Sequence, residues 1–225
     1  MDILTGTGET PVVDAATVVL VREVGGPFEC LMLRKNAGQS FGGVWVFPGG
    51  RLEAVDGDGV EGARRAAVRE AHEETGLVLD AGELVPFSHW MPPPEAPKRF
   101  ATWFFLAPLP EGADDVVVDG GEIGDQMWTT PQGALDRHRA GEIRLVPPTW
   151  VTLRWLADAG GVDGAMAVAR SGEVERFVTH MVDDDGTLVA LWAPDAGYEA
   201  RRPATPGSRH RLRMDPDGWV YERSE

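Results

Sequence analysis

FPGGRLEAVDGDGVEGARRAAVREAHEETGL, residues 47–77, decides the fold. A Pro-Gly-Gly turn leads into an acidic, glycine-bearing loop, then an alanine-rich helix carrying three glutamates, then a glycine stop at Gly76. Ala63, Ala67 and Ala71 recur at i, i+4 and i+8, a narrow stripe that lets the helix pack closely on a sheet. Glu70, Glu73 and Glu74 stand at i, i+3 and i+4, so their carboxylates crowd one helix face. Three like charges there repel one another and give folding nothing, so a cation must answer them. Oxygen donors grouped this tightly suit a hard divalent ion such as Mg²⁺ or Mn²⁺.

Each piece alone has an ordinary reading: a Glu-Glu pair on a helix is solvated surface, and Pro-Gly-Gly is a turn. The combination is more specific. REAHEETGL, residues 69–77, fits R-E-x-x-E-E-x-G-aliphatic and follows the Pro-Gly-Gly on the appropriate side. In these residues the chain resembles the Nudix hydrolase family. The resemblance implies an α/β Nudix fold, a mixed sheet sandwiched between helices. It also implies hydrolysis of a diphosphate linked to another group, assisted by Mg²⁺ or Mn²⁺. By the same resemblance Glu70, Glu73 and Glu74 are metal-binding and catalytic, and Gly50 lends a carbonyl oxygen to the metal. Arg69 buttresses the cluster by pairing with an upstream acid.

That upstream acid is where the pattern slips. Gly50 to Glu61 spans eleven positions (61 − 50) where the family pattern has six, an insertion around Asp56-Gly57-Asp58-Gly59. Asp56 restores the count from Gly50 but misaligns Arg69 and Glu70. Glu61, eight residues before Arg69, is therefore the expected partner. Inserted loop residues are thermodynamically mild. Family members often recruit a further acid from a loop across the sheet as metal ligand or general base. Glu122, in a Gly-rich turn a few residues before Trp128, is the candidate here. His72 lies off the Glu70–Glu74 face and reads as solvated.

The whole chain sets bounds on these readings. At 225 residues it can bury one good core with an appendage, and 43% hydrophobic content with eight tryptophans suits a globular protein. A net charge of −15 disfavours general binding to nucleic acid or an anionic membrane, because the mean field repels phosphate. Cys30 is the only cysteine, which excludes an intrachain disulfide, and its apolar setting suggests an inert buried thiol. Neither a signal peptide nor a spanning apolar run is apparent, so a cytoplasmic location is expected.

In chain order, residues 1–14 read as a loose leader, 15–147 as the Nudix domain, and 148–225 as a C-terminal α+β extension packed on it. Residues 15–24 and 28–34 form a candidate hairpin, and 44–47 a short strand. Residues 83–91 and 99–109 read as strands around Pro92-Pro93-Pro94. On the second, Ala101, Trp103 and Phe105 face one way, and Thr102, Phe104 and Leu106 the other. Both faces are apolar, as in a central strand covered by helices on two sides. Residues 114–119 suggest a short edge strand. Thr130-Pro131 caps a helix to about Ala140. Helices follow at 149–159 and 163–170, then strands at 177–182, 188–192 and 211–214.

Residues 40–50 (SFGGVWVFPGG), the inserted loop, Arg99-Phe100 and Pro147-Pro148-Thr149 together resemble the peroxisomal coenzyme A diphosphatase branch of the family. That branch cleaves CoA or acyl-CoA to phosphopantetheine and 3′,5′-ADP. A second CoA-linked pattern in the family fits at Leu31, Arg34, Gly43 and residues 47–50. It fails at Cys30, Met32, Lys35 and Gln39. ADP-ribose, other nucleotide sugars and dinucleoside polyphosphates stand as alternative substrates. Arg34, Arg51, Arg99 and Trp45 are candidate substrate contacts, with Lys35 and Lys98 as further candidates for phosphate. A non-catalytic nucleotide-sensing regulator is the rival of another class, but such proteins usually lose motif glutamates. Family members are often homodimers.

Overall fold

The computed structural model describes residues 10–224 except 24, 27, 37, 39–41, 114, 115 and 119. The expectations placed on residues 1–9, on Gln39, Ser40 and Phe41, and on Asp114, Asp115 and Asp119 therefore lie outside the described residues. The chain divides into two compact units. Of the described residues, the larger holds 14–88 and 102–175, the smaller 10–13, 89–101 and 176–224. The helices after residue 147 group with the larger unit.

In the larger unit, β1 (Val12–Arg22) and β2 (Glu29–Lys35) form the expected antiparallel hairpin, with Val21 opposite Cys30 and Arg22 opposite Glu29. β1 begins three residues earlier than the apolar run suggested. β3 (Trp45–Val46) pairs with β2, and β4 (Gly49–Arg51) pairs with β1 through Ala16–Gly50 and Thr17–Gly49. β5 (Val85–Met91), β6 (Arg99–Pro108) and β7 (Ile123–Thr129) complete the strands here. The order is β3-β2-β1-β6-β5, with β4 beside β1 and β7 beside β2. Val116–Val118 form no strand, and the Val117 N–H instead donates to the Thr75 carbonyl at 3.0 Å.

α1 (Gly59–Thr75) ends at Gly76, whose φ of 73° is the left-handed stop its position suggested. Ala63, Ala66, Ala67 and Ala71 are fully buried against Ala16, Val18 and Leu20 of β1, Leu31 and Leu33 of β2, and Phe105 of β6. Four methyl side chains let the helix backbone sit close to the sheet. That closeness brings the glutamates on the helix near the glycine turn of β4.

The neighbouring residue Phe104 points to the opposite side of β6. It meets Phe47 and Phe87 edge-on at 6.4 and 6.2 Å, and Phe87 stacks on Trp155 at 5.0 Å. Trp155 belongs to α3 (Pro147–Asp158), so helices cover both faces of the sheet. α2 (Pro131–Arg139) starts as expected, its Thr130 hydroxyl accepting from the Gly133 N–H at 3.0 Å. α4 (Val162–Ser171) closes the unit. Cys30 is fully buried and donates weakly to the Thr129 carbonyl; burial pushes its thiol up to about 12, which fits an inert role.

The smaller unit takes in the end of β5 from His89, and there β8 (Glu175–Val178) runs beside it, the Thr179 N–H donating to the Met91 carbonyl at 3.0 Å. β9 (His180–Asp184), β10 (Thr187–Leu191), β11 (His210–Asp215) and β12 (Gly218–Arg223) form an antiparallel sheet in the order β12-β11-β10-β9. The expected strand at 177–182 is split between β8 and β9, and β12 went unread. Its alternation is blurred because Trp219, Tyr221 and Arg223 on one face, like Val220 and Glu222 on the other, stay half-buried or exposed. Trp90, Phe177 and Trp192 build the core of this unit, Trp90 and Phe177 stacked at 3.7 Å.

Candidate active site

Glu70, Glu73 and Glu74 occupy the last two turns of α1, as the sequence suggested. They do not reach into open solvent together. Glu74 is almost wholly buried, with Oε1 accepting from Lys35 Nζ at 2.5 Å and Oε2 from the Gly49 N–H at 2.9 Å. Glu70 accepts from Arg69 Nη1 at 2.9 Å, and the exposed Glu73 from the same nitrogen at 3.3 Å. Burial raises the carboxyls of Glu70 and Glu74 above the ordinary glutamate range, even though Arg69 and Lys35 pull them down.

Gly50 lies directly against this cluster. A Cβ placed there would overlap the Glu70 carboxylate, so the turn is moulded to the acid and only glycine leaves it room.

Arg69 has a different partner from the one expected. Its Nη2 and Nε donate to Asp56 at 2.8 and 3.3 Å, and Nη2 also reaches the Arg51 carbonyl at 3.1 Å. Asp56 is buried, takes a further bond from the Glu53 N–H at 2.9 Å, and is held below the ordinary aspartate range by Arg69 above all. Glu61 is 64% exposed and pairs with Arg64 at 3.3 Å. The assignment of Glu61 as the buttressing acid is therefore corrected to Asp56. Glu61 and Arg69 both sit on α1, and eight residues of helix separate them by about 12 Å along the axis. No guanidinium can bridge that span and still serve Glu70. Asp56 reaches Arg69 from the inserted loop, which folds back over the helix.

Glu122 stands in the turn before β7, 56% exposed, with Oε2 3.8 Å from Lys35 Nζ. Lys35 thus joins a helix acid to the loop acid. Asn36 shapes this turn: its N–H donates to the Glu122 carbonyl at 2.8 Å and its Nδ2 to the Gly121 carbonyl at 2.8 Å. Neither residue stood in the predicted catalytic or metal-binding set. A cation ending a strand next to a motif loop was the only sequence signal, and Lys35 entered only as a phosphate candidate.

The candidate substrate contacts fare less well. Trp45 is 9% exposed and belongs to the packed interior, so it presents no face to stack a base. The Arg34 guanidinium lies 3.6 Å from Asp125. Arg51 is exposed, and its carbonyl, not its side chain, joins the network around Arg69. Arg99 falls in the smaller unit, where it donates to the Thr10 carbonyl at 3.4 Å. His72 is exposed, as expected.

Whether the acids fit a divalent metal divides into two questions. Their chemistry fits: hard oxygen donors, two of them costly to bury as anions, beside a glycine turn with space for the carboxylate. Their present arrangement is not that of a formed centre. Among the described residues no group of three or more His, Cys, Asp or Glu side chains is placed to hold a metal ion. Lys35 and Arg69 draw Glu74 and Glu70 to separate partners.

A helix bearing clustered carboxylates, packed on a mixed sheet with a glycine turn against the acids, is the Nudix fold. Residues 11–149 match the profile described as NUDIX domain, and the chain belongs to that family. A crystal structure of a NUDIX hydrolase from Alicyclobacillus acidocaldarius superposes with a TM-score of 0.66 at 23% identity, covering 72% of this chain and 98% of that one. A Caenorhabditis elegans protein whose name assigns it to the nudix hydrolases is 25% identical, over 52% of each sequence. The chain thus spans about half the length of that curated relative. A Caenorhabditis elegans Ap4A hydrolase structure aligns at 24% identity and a TM-score of 0.47, over 63% of this chain and 93% of that one. Nudix enzymes generally use divalent metal ions. No helix among the described residues is long and apolar enough to cross a membrane.

Proposed function

We propose that the protein is a Mg²⁺- or Mn²⁺-dependent pyrophosphohydrolase that cleaves the diphosphate linkage of a nucleoside diphosphate derivative. The observation that carries this reading is the face of α1: Glu70, Glu73 and Glu74 beside the Gly49-Gly50 turn, with Gly50 pressed on the Glu70 carboxylate. Glu70, Glu73, Glu74 and a backbone oxygen of the glycine turn would hold the metal, with Glu122 as a further ligand. The metal supplies charge neutralisation to the diphosphate, the main requirement of phosphoryl transfer.

The chain's own residues do the rest. Arg69, anchored by Asp56, fixes the Glu70 carboxylate, and the Gly49 N–H fixes one oxygen of Glu74. Glu122, 3.8 Å from the Lys35 ammonium and half open to solvent, accepts the proton of the attacking water when it is not a ligand. CoA or acyl-CoA is the favoured substrate on the strength of residues 40–50, the inserted loop and Pro147-Pro148-Thr149.

The test is product identification on a panel of CoA, acyl-CoA, ADP-ribose, NADH and dinucleoside polyphosphates, with Glu74→Gln as control. Phosphopantetheine and 3′,5′-ADP from CoA support the full reading; preferred cleavage of another member moves the substrate and keeps the chemistry. Glu74→Gln should fold and lose turnover by orders of magnitude. Retained activity at saturating Mn²⁺ counts against the metal assignment.

A further inference from the structure

Lys35 is the last residue of β2, and its side chain is only 14% exposed. Its ammonium contacts the most buried acid of the α1 face, Glu74, at 2.5 Å, and faces Glu122 at 3.8 Å. It is no loose surface lysine. The backbone on both sides of its chain position is pinned: the Lys35 N–H donates to the Val44 carbonyl at 3.2 Å, the Lys35 carbonyl accepts from the Gly43 N–H at 2.8 Å, and the Asn36 N–H donates to the Glu122 carbonyl at 2.8 Å. The stem is thus aimed between the helix acid and the loop acid by three main-chain bonds. Glu74, with its second oxygen on the Gly49 N–H, has both oxygens engaged within the chain.

We propose that Lys35 is a resident counter-cation, a positioning residue that holds the place at Glu74 taken by the divalent metal and must move when the metal binds. The proposal rests on the reading above that Glu74 is a metal ligand. Coulomb's law gives the reason. A dication sharing Glu74 repels a neighbouring ammonium with twice the charge product that draws the ammonium to one carboxylate, so both cannot keep the same oxygen. Without Lys35, metal-free Glu74 would be a buried carboxylate with no cation, which is costly. With Lys35 the acid is kept folded and aimed, at the cost of competition with the metal. The flexible four-carbon stem allows the exchange, and Glu122 is the nearest carboxylate to receive the displaced ammonium.

Two measurements test this, neither of them turnover. Free Mn²⁺ is followed by its paramagnetic resonance signal during titration of wild type, Lys35→Met, Lys35→Arg and Glu74→Gln, without substrate. Lys35→Met should bind Mn²⁺ about tenfold more tightly or better, since a competing charge is gone, while its metal-free melting midpoint falls. Lys35→Arg, which keeps the charge, should stay near wild type. Unchanged or weaker Mn²⁺ binding by Lys35→Met overturns the proposal, and so does an arginine variant that behaves like the methionine one. In the wild type, where no variant need fold, acetylation of Lys35 read by peptide mass spectrometry should speed up on adding Mg²⁺. A rate indifferent to Mg²⁺ also overturns it. Mn²⁺ binding that Glu74→Gln leaves intact removes the metal reading itself, a failure separate from that of Lys35.

Discussion

Asp56 and Glu61 offer the sharpest contrast in the molecule, because counting along the sequence selects one acid and geometry the other. Replacing Asp56 with alanine removes the acceptor of Arg69 Nη2 and Nε and of the Glu53 N–H, at a residue only 4% exposed. Breaking a buried pair by deleting one partner costs about 3–5 kcal/mol. Arg69 keeps Glu70 and the Arg51 carbonyl, which moderates the loss to about 2–3 kcal/mol. Glu61→Ala removes an exposed pair with Arg64 and should stay within about 0.5 kcal/mol of wild type. Urea unfolding at neutral pH, comparing midpoints at constant slope, reads both. Acid titration adds a second axis. The folded Asp56 carboxyl titrates below its unfolded value, so its contribution is complete above the unfolded value near pH 4 and is lost as pH falls through the folded one. The stability gap between wild type and Asp56→Asn should therefore be full at neutral pH and close in acid. A larger loss from Glu61→Ala than from Asp56→Ala, or a gap that persists in acid, would refute the placement of the inserted loop.

Gly50→Ala puts a methyl into the Glu70 carboxylate, the movable end of a side chain, so the fold should survive. Turnover should fall about a hundredfold as Glu70 is pushed aside, and calorimetry beside steady-state rates separates the two effects. Gly124→Ala drives its Cβ into Asn36 Oδ1 and loosens the turn that carries Glu122. Turnover should drop while Mn²⁺ binding in the absence of substrate weakens far less than in Glu74→Gln. In the smaller unit, burial pushes the Asp195 carboxyl up, but Arg211 and the His210 and Gly197 N–H groups outweigh it and hold it below its ordinary value. Asp195→Ala strands Arg211, itself 4% exposed, and should cost about 3–5 kcal/mol at neutral pH. Because the folded carboxyl titrates low, the wild-type advantage should shrink only as acid titrates it, as thermal melts across pH will read.

The features legible in the sequence were those written by local periodicity. Alanine spacing located the packed face of α1, Gly76 its end, Thr130-Pro131 the start of α2, and alternation around Phe104 and Phe105 a strand covered on both faces. What escaped depended on chain reversals that no periodicity records. The acid on Arg69 was misread because motif counting treats loop and helix residues as equal steps. A helix fixes each residue at 1.5 Å of rise, whereas a loop can return thirteen positions to the same guanidinium. Trp45 was offered as a stacking platform, yet a tryptophan beside a motif loop is more often core, and this one is. Lys35 and Asn36 were obscure for a related reason: their partners, Glu74 and the turn at 120–122, are far along the chain.

The same contacts explain how an acidic chain tolerates a concentrated acidic face. Glu70 and Glu74 gain cations from within, yet their carboxyls still titrate above the ordinary range, so Arg69 and Lys35 compensate burial only in part. The shortfall is built in. Arg69 divides its guanidinium among Asp56, Glu70, Glu73 and the Arg51 carbonyl, while Lys35 faces Glu74 and Glu122. Cations shared so widely fix the acids in position without satisfying them. A fold selected for stability alone would replace the Glu74–Lys35 pair with apolar side chains of similar volume, since exchanging a whole buried ion pair in that way is often neutral or favourable. Keeping a buried, incompletely neutralised carboxylate beside a glycine turn makes physical sense where a stronger cation than lysine is to be held.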